Sequence, residues 1–256
     1  MQKIKVGIVG GAGYTAGELL RILIYHPEVE IVFVNSSSNA GNFVADVHSG
    51  LTGETDLKFT AELPLQQIDA LFLCTAHGDS KKFLEEHDVP ASVKIIDLST
   101  DFREKRANHD FVYGLPELNR KEIVSARHIA NPGCFATSIQ LGLLPLAKNG
   151  LLKDEIHVNA ITGSTGAGVK LSATSHFSWR NNNVSIYKAF THQHLHEINQ
   201  SLHQLQPSFA HAVNFIPVRG NFTRGILAAS YTKCDLTLKE ATEIYSEFYS
   251  EAAFTF

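Results

Sequence analysis

The chain has 256 residues, of which 44% are hydrophobic and 19% charged, and its formal net charge is −4. This composition fits a globular protein of one large or two modest domains, and neither the charge nor any Lys/Arg run points to nucleic acid. No stretch reaches the ~18 apolar residues of a membrane span, and the N-terminal strand pattern leaves no room for a signal peptide. We therefore expect a cytoplasmic protein whose three cysteines stay reduced.

A glycine-rich turn lies between the first predicted strand and the first predicted helix. The run KIKVGIVG (3–10) predicts the strand, and GAGYTAGELLRILIYH after it has the apolar face of a helix. Gly11, Gly13 and Ala16 fit the G-x-G-x-x-A dinucleotide fingerprint, in which small residues let the backbone approach a pyrophosphate. The predicted cofactor-binding residues of this turn are Gly10, Gly11, Ala12, Gly13, Tyr14 and Thr15.

The second predicted strand, EIVFVNSSS (30–38), ends without an acidic residue. NAD enzymes usually have Asp or Glu there to contact the ribose 2′-hydroxyl. Asn35 and the hydroxyls of Ser36, Ser37 and Ser38 take that place, and hydroxyls can donate to a 2′-phosphate without repelling it. The strand end therefore favours NADP(H) over NAD. The alternative is a serine-rich loop that binds no ligand.

Two further apolar runs, DALFLCTA (69–76) and VKIIDLS (93–99), are typical of strands in a parallel sheet covered on both faces. Each is followed by small or polar residues. Ligands of doubly wound sheets bind at the carboxyl ends of the strands, so His77 and Gly78 are predicted to join the cofactor site. Cys74 lies inside its strand and is expected to be an unreactive thiol.

Cys134 follows a predicted turn at Asn131-Pro132 and begins an apolar helical pattern in IANPGCFATSIQLGLLPL (129–146). Unpaired N–H groups and the helix dipole lower the pKa of a cysteine in a first turn, and the same amides can hold an oxyanion. The alternative, a structural cysteine, occurs more often inside a strand or helix. We therefore predict that Cys134 is a nucleophile.

The pattern changes in the second half of the chain, where strands are grouped rather than alternating with helices. Residues 155–168 alternate like a half-buried strand before a glycine-spaced loop, 211–233 predict two strands around Gly220-Asn221, and 238–252 predict a helix. The sequence thus predicts an α/β fold: a doubly wound Rossmann-type nucleotide domain (1–148), then an α+β catalytic and oligomerisation domain (149–256). Phe254 and Phe256 are typical of the start of another strand.

The segment KAFTHQHLHEINQSLHQL (188–205) contains four histidines. On a helix, His192 and His196 would share a face, a spacing that can bind zinc, but no second ligand cluster accompanies them and we predict no metal. The preferred interpretation is a single acid–base imidazole tuned near neutral pH. Histidines that merely lie on the surface are the other alternative.

Eight segments, in this order, resemble the N-acetyl-γ-glutamyl-phosphate reductase family: VGGAGYTAGELLRIL (9–23), AHGDS (76–80), DLSTDFR (97–103), YGLPEL (113–118), ANPGCFATSIQLGLLP (130–145), GSTGAG (163–168), HQHLHEI (192–198) and TRGI (223–226). The resemblance covers nearly the whole chain, and NPGCFAT is its most specific part. Ala16, Ser138 and Gln193 depart from the residues usual in the family.

The resemblance implies an NADPH-dependent acyl-phosphate reductase of arginine biosynthesis. In that chemistry the Cys134 thiolate displaces phosphate from the acyl phosphate, and the resulting thioester is reduced to a semialdehyde with hydride from NADPH. The imidazole of His192, or alternatively of His194, transfers the protons. The resemblance implies that Ser99 and Arg103 hold the phosphate and that Arg224 binds the substrate's carboxylate. The implied substrate-binding residues are Ser99, Arg103, Asn131, His194 and Arg224.

Three alternatives stay open. They are an aspartate-semialdehyde dehydrogenase-type reductase, a truncated NADP-binding protein without catalysis, and a thiol hydrolase that uses Cys134 and His192. Members of the family continue past the last predicted helix, so we expect a second domain truncated at its C-terminus. The expected partners are a small acyl phosphate, with an acetyl or succinyl cap, and further copies of the chain in a dimer or tetramer, but no nucleic acid and no membrane.

Overall fold

The computed structural model describes residues 2–256, which fold into two units. Unit 1 extends to Gly114 and includes Lys121–Asn131, whereas unit 2 contains Leu115–Arg120 and Pro132–Phe256. The strands are β1 (Ile4–Val9), β2 (Val29–Asn35), β3 (Phe59–Thr60), β4 (Ala70–Leu73), β5 (Lys94–Asp97), β6 (Val112–Tyr113), β7 (His128–Ala130), β8 (Ile156–Thr162), β9 (Ser185–Ile186), β10 (Val213–Arg219) and β11 (Ile226–Tyr231). The helices are α1 (Tyr14–Leu23), α2 (Val44–Val47), α3 (Asp79–Glu86), α4 (Pro116–Ser125), α5 (Cys134–Lys148), α6 (Phe177–Arg180), α7 (His194–Leu205) and α8 (Leu238–Phe248). No helix in the described range has the length and apolarity needed to cross a membrane.

Unit 1 is built on a parallel sheet with the strand order β3-β2-β1-β4-β5-β7-β6. The chain leaves β1 in one direction towards β3 and returns to continue through β4 on the other side, which makes the end of β1 a topological switch point. Val6 and Ile8 pack with Leu20 of α1 on one face, and Leu71 packs with Phe83 of α3 on the other. Burial on both faces accounts for the continuous apolar runs of these strands. The predicted doubly wound sheet is confirmed.

Unit 2 has a mixed sheet in the order β11-β8-β10-β9. β8 and β10 are parallel neighbours, while β11 and β9 flank them in the antiparallel sense. The two strands predicted in 211–233 both form, as β10 and β11, but each pairs with β8 instead of with the other.

Helix α5 packs inside unit 2. Its residues Phe135, Ile139 and Leu143 share a core with Ile198 and Leu202 of α7. The sequence places this helix at the end of the first domain, with a boundary at residue 148. The structure assigns it to unit 2 because its apolar face is buried against α7 and the sheet of that unit.

Pro145 lies inside α5, and α8 compensates for it. Proline has no N–H, so the carbonyl of Leu141, four residues earlier, loses its helical donor. The Tyr249 hydroxyl donates to that carbonyl at 2.5 Å, and the Tyr245 hydroxyl donates to the carbonyl of Gly142. This pair of bonds explains why the helix predicted at 238–252 docks on this part of α5.

Phe254 and Phe256 do not begin a strand. In the described chain no strand forms after β11, and both phenylalanine side chains are exposed. The strand predicted there is therefore wrong, because no neighbouring strand pairs with these residues.

Candidate active site

Cys134 is the first residue of α5, as the sequence predicts. Gly133 is the N-cap, with an extended backbone, and the first turn, described in full, holds no acidic residue. The Cys134 side chain is exposed, whereas Phe135 and Ala136 next to it are buried. The thiol is therefore accessible at the positive end of a fifteen-residue helix.

The other two cysteines differ from Cys134 in their surroundings. Burial raises the pKa of Cys74 to about 12, and the Asp97 carboxylate adds to the effect. The thiol of Cys74 is thus protonated at neutral pH, in agreement with the predicted unreactive cysteine. Cys234 is exposed but lies beyond β11, outside any helix start.

Glu197 connects the start of α5 with His194. Its Oε2 accepts a hydrogen bond from the Gly133 N–H at 2.8 Å, and its Oε1 lies 3.8 Å from Nε2 of His194. The His194 ring lies so close to Gly133 that a Cβ on this glycine would overlap Nε2. Glu197 and His194 are both buried. A carboxylate and an imidazole thus meet at the backbone of the residue that precedes the nucleophile.

His192 is enclosed by aromatic rings. The rings of Phe135, Tyr187 and Phe215 have their centroids 5.5 to 5.7 Å from that of His192. Burial lowers the pKa of His192 to about 4, and the charge of Lys188 acts in the same direction. The Nδ1 of His192 accepts the His194 N–H at 3.2 Å, so the neutral ring carries its proton on Nε2. This result is contrary to the sequence-based prediction of an imidazole that titrates near neutral pH. The surroundings of His192 disfavour its charged form.

The low pKa of His192 predicts a specific pH dependence of stability. The unfolded chain binds a proton on this imidazole below about pH 6.5, whereas the folded chain does so only near pH 4. The free energy of unfolding should therefore fall as the pH drops through this window, with His192 contributing on the order of 3 kcal/mol. Denaturant unfolding of wild type and His192→Asn, followed by circular dichroism at pH 7.5 and 4.5, measures this contribution.

The variant should lose less stability than wild type between these two pH values. Asparagine keeps an acceptor near the position of Nδ1 but does not titrate. His196→Gln serves as the control, because His196 is an exposed histidine on α7 and should follow wild type. Equal losses in His192→Asn and wild type would contradict the assignment of a buried neutral ring.

The histidines do not form a metal site with their neighbours. His192 is buried and precedes α7, whereas His196 is exposed on the helix, so the pair does not share a face. Within residues 2–256, no group of three or more His, Cys, Asp or Glu side chains is arranged to hold a metal ion.

The turn between β1 and α1 is shaped by close backbone contacts. Gly10 has a φ of +78°, and a Cβ there would meet the carbonyl oxygen of Cys74, while a Cβ on Gly11 would overlap Val34. A Cβ on Gly13 would come no closer than 3.5 Å to its neighbours. The first turn of α1, fully described, has no acidic residue. The N–H groups of Gly11 and Gly13 donate to backbone carbonyls, so the first-turn N–H groups of α1 are the donors that fit a pyrophosphate.

His48 packs against this turn, and no motif in the sequence predicts that contact. Its Nε2 lies 2.7 Å from the carbonyl oxygen of Gly11. Its ring also lies against Gly17, where an added Cβ would be 2.6 Å from Nδ1. His48 comes from the segment after α2, far from the turn in sequence and outside any motif.

Asn39 organises the serines that follow β2. Its Nδ2 donates to the hydroxyl oxygens of Ser36 and Ser38, each at 3.1 Å, so both hydroxyls keep their hydrogens for another acceptor. Asn35 instead donates to two carbonyls at and just after the end of β3, each at 3.2 Å. Ser37 and Ser38 are exposed. No carboxylate occurs in residues 35–39, all of them described, and this donor set fits the 2′-phosphate of NADP(H).

His77 and Gly78 are exposed after β4, and Asp101 holds this loop. The Asp101 carboxylate accepts the N–H of Gly78 at 2.7 Å and that of Lys81 at 3.0 Å. A side-chain carboxylate thus caps the start of α3. The role of His77 and Gly78 in cofactor binding stays a prediction.

Ser99 and Arg103 lie inside unit 1. Ser99 is fully buried and donates its hydroxyl to Asp97 at 2.8 Å. Burial raises the pKa of Asp97, although hydrogen bonds from Ser80 and Ser99 oppose the shift. Arg103 is also buried, and it donates to the carbonyls of Leu98 and Asn131 at 2.9 and 2.8 Å. In the structure these two residues stabilise the loop after β5 from within, and their role in holding the phosphate stays a prediction.

Arg224 is exposed on the loop between β10 and β11. This loop is joined to the glycine-rich loop after β8: Gly163 donates to the carbonyl of Gly225 at 3.1 Å and Ser164 to that of Phe222 at 2.7 Å. A Cβ on Gly163 would overlap the backbone of Thr223 and Arg224. The glycine therefore allows the close approach that positions Arg224.

Two family models match the chain. One, described as "Semialdehyde dehydrogenase, NAD binding domain", covers residues 5–126, and the other, "Semialdehyde dehydrogenase, dimerisation domain", covers 134–256. Among solved structures, aspartate semialdehyde dehydrogenase II from Vibrio cholerae, complexed with ASA, matches with a TM-score of 0.71 at 17% identity, over 95% of this chain and 79% of that chain. The enzyme from Candida albicans with NADP gives 0.68 at 18%, over 98% and 76%. The fold and the cysteine site thus define a protein of the semialdehyde dehydrogenase class.

Curated relatives narrow this class. The N-acetyl-gamma-glutamyl-phosphate reductase of Parabacteroides distasonis is 68% identical over 253 residues, which are 99% of this chain and 79% of the relative. That of Bacteroides thetaiotaomicron is 66% identical over 251 residues, or 98% and 78%. The chain belongs to the N-acetyl-γ-glutamyl-phosphate reductase family, which confirms the resemblance found in the sequence. The aspartate-semialdehyde alternative is not favoured, since the dehydrogenase structures named above are only 17% and 18% identical.

Proposed function

We propose that the chain catalyses the NADPH-dependent reductive dephosphorylation of N-acetyl-γ-glutamyl phosphate to N-acetylglutamate semialdehyde, in arginine biosynthesis. The observation that carries this proposal is the exposed Cys134 thiol on the first residue of α5, in a chain of the reductase family. The protein is accordingly an NADP-dependent oxidoreductase. In the reverse direction it acts as a phosphorylating aldehyde dehydrogenase.

The reaction divides into acyl transfer and reduction. The Cys134 sulfur attacks the carbonyl carbon of the acyl phosphate, a C–S bond forms, and the C–O bond to phosphate breaks, which leaves a thioester. NADPH, when bound, supplies the hydride for the reduction of this thioester. The C–S bond of the resulting thiohemiacetal then breaks, which releases the aldehyde and restores the thiol. The first-turn N–H groups of α5 stabilise the negative oxygen of the tetrahedral species.

We assign the proton transfers to His194. Its ring lies against Gly133 and beside the Glu197 carboxylate, which can orient the imidazole and stabilise its protonated form. His192, the first choice from the sequence, is neutral and enclosed. It accepts the N–H of His194 and thus acts as a positioning residue at the start of α7.

The candidate substrate-binding residues carried over from the sequence lie in two different settings. Asn131 and Arg224 are exposed and remain candidates for the substrate's polar groups. Ser99 and Arg103 are buried at the loop after β5 and remain candidates for the phosphate group.

NADP(H) is the cofactor that the donor set favours. The residues from Gly10 to Thr15 would hold the pyrophosphate at the start of α1, and the serines arranged by Asn39 would receive the 2′-phosphate. The matched NAD-binding family model over 5–126 supports this assignment.

Gly13→Ala tests the cofactor site without disturbing the fold. An added Cβ meets only ordinary contacts, so the melting temperature should stay within ~2 °C of wild type. The methyl group occupies the path of the pyrophosphate, so the dissociation constant for NADP should rise by about tenfold or more. Fluorescence titration with NADPH measures the change. Gly50→Ala is the control, since a Cβ there meets nothing within 4 Å; a normal NADP affinity in Gly13→Ala would argue against the predicted site.

A reverse assay tests the function. Purified protein should reduce NADP in the presence of phosphate and N-acetylglutamate semialdehyde, with the N-succinyl analogue and aspartate semialdehyde as competing substrates. Preference for aspartate semialdehyde would reject the proposal, and the ratio between the two N-acylated substrates identifies the acyl cap.

We also propose that the chain forms a homo-oligomer, a dimer or tetramer, in a reducing cytoplasm. The match of 134–256 to a dimerisation domain supports self-association. The accessible thiols of Cys134 and Cys234 are consistent with a reducing compartment.

A further inference from the structure

Arg219, the last residue of β10, is a cation without a carboxylate partner among residues 2–256. Its guanidinium lies over the ring of Tyr187, 4.5 Å from the centroid, and its Nε is buried without a hydrogen-bond acceptor. A guanidinium that is half-buried and unneutralised is unfavourable unless an anion joins it.

A second unneutralised cation, Arg180, lies beside Arg219. Its Nη1 donates to the carbonyl oxygen of Arg219 at 2.8 Å. Its other hydrogen bonds go to the carbonyls of Thr174 and Asn183 and to the hydroxyl of Ser185, so the buried Arg180 also has no acidic partner in the described chain. Arg180 thus fixes the backbone at the end of β10 and adds positive potential there.

Tyr187 places Arg219 next to the nucleophile. Burial raises the pKa of Tyr187, Arg219 lowers it through charge and a hydrogen bond, and the charge of a Cys134 thiolate raises it. The phenol is therefore within electrostatic reach of both side chains. The ring of Tyr187 and that of Phe135, the residue after Cys134, each lie 5.7 Å from the ring of His192, centroid to centroid. Arg219, Tyr187 and Cys134 consequently belong to one site within unit 2.

The strand topology also places Arg219 at a ligand-binding edge. β8 and β10 run in parallel, and Arg219 pairs with Thr162, the last residue of β8. The glycine-rich loop 163–168 follows directly. The carboxyl ends of neighbouring parallel strands are where open sheets bind their ligands.

We propose that Arg219 binds an oxyanion of the substrate, either its carboxylate or its phosphate group, beside Cys134. This inference rests on the proposed function, because the acyl phosphate supplies both groups. The contact with the Tyr187 ring holds the guanidinium in place, and its Nη groups, rather than the buried Nε, are the donors that an oxyanion would reach. Arg219 is thereby a substrate-binding residue that the family motifs in the sequence do not include.

An alkylation experiment tests the oxyanion site independently of activity. Iodoacetate and iodoacetamide both transfer a two-carbon group to a thiolate with loss of iodide, but only iodoacetate carries a carboxylate. In wild type, the ratio of the iodoacetate rate to the iodoacetamide rate should be about tenfold higher at Cys134 than at the exposed Cys234 of the same chain. Mass spectrometry of the two cysteine peptides over time gives both ratios.

Arg219→Gln should lower the ratio at Cys134 severalfold towards that at Cys234, and Arg219→Lys should retain more of it. The control is Arg21→Gln, which removes an exposed arginine that pairs with Glu18 in unit 1 and should leave the ratio unchanged. Melting temperatures establish that the variants are folded. An unchanged ratio in folded Arg219→Gln overturns the proposal, even if the protein proves to have a different activity.

The reverse assay identifies which oxyanion is bound, because the semialdehyde carries the carboxylate and phosphate is added separately. Loss of a charge-assisted hydrogen bond should raise one KM by roughly 10- to 100-fold in Arg219→Gln, with a smaller change in kcat. A higher KM for the semialdehyde assigns the carboxylate, and a higher KM for phosphate assigns the phosphate group. Two unchanged KM values would overturn the proposal while leaving the reductase activity itself established.

Discussion

Cys134→Ser is expected to reduce the phosphate-dependent oxidation of N-acetylglutamate semialdehyde by at least ~10³-fold. A serine hydroxyl is almost entirely protonated at neutral pH, and the helix start of α5 cannot ionise it as it can a thiol. The substituted oxygen therefore forms no acyl-enzyme at a useful rate. Steady-state production of NADPH, with single-turnover mixing to detect a burst, measures the loss.

Affinity for NADP should be unchanged in Cys134→Ser, because the predicted cofactor residues all lie in unit 1. Cys234→Ser is the matched control: it removes the other exposed thiol, which lies outside any helix start, and should keep full activity. If Cys134→Ser stays active, or if Cys234→Ser is the inactive variant, the thioester mechanism at Cys134 must be abandoned.

The features that the sequence predicts correctly are local ones. The β1–turn–α1 unit follows from a β-branched run, small residues at the turn and an apolar helical face within a single segment. Cys134 at the start of α5 follows from a Pro-Gly turn directly before an apolar helix. Each of these depends on neighbours in sequence, so the pattern contains the information.

The features that the sequence does not predict depend on distant segments. The helical spacing of the apolar residues in α5 identifies the face that is buried. It does not identify what that face packs against, which is α7 and the sheet of unit 2. His192 and His194 look alike in sequence, and only the rings around His192 show that it stays neutral. Arg219 has no motif, because its significance comes from a tyrosine contact and a parallel strand pairing with β8.

The roles of the two histidines can be separated by substitution, and His194→Gln should lower kcat by ~10²- to 10⁴-fold, the usual contribution of a general acid–base group. The thiol loses its proton acceptor, and the departing oxygen loses its donor. His192→Asn should reduce kcat much less. The buried His192 ring is neutral across the assay range, so it has no imidazolium proton to donate. The kcat values of both variants in the reverse assay, measured across pH 5.5–9, make the comparison.

Glu197→Gln gives a third variant for the same test. The glutamine can still accept the Gly133 N–H but lacks the charge that faces His194, so kcat should fall about tenfold or more. Glu197 is expected to act through His194. The double variant His194→Gln/Glu197→Gln should therefore have nearly the same kcat as His194→Gln alone. Independent, multiplicative losses would show that Glu197 does not act through the imidazole. A larger loss in His192→Asn than in His194→Gln would restore His192 as the proton-transfer group, because the assignment of His194 depends on its position between Gly133 and Glu197.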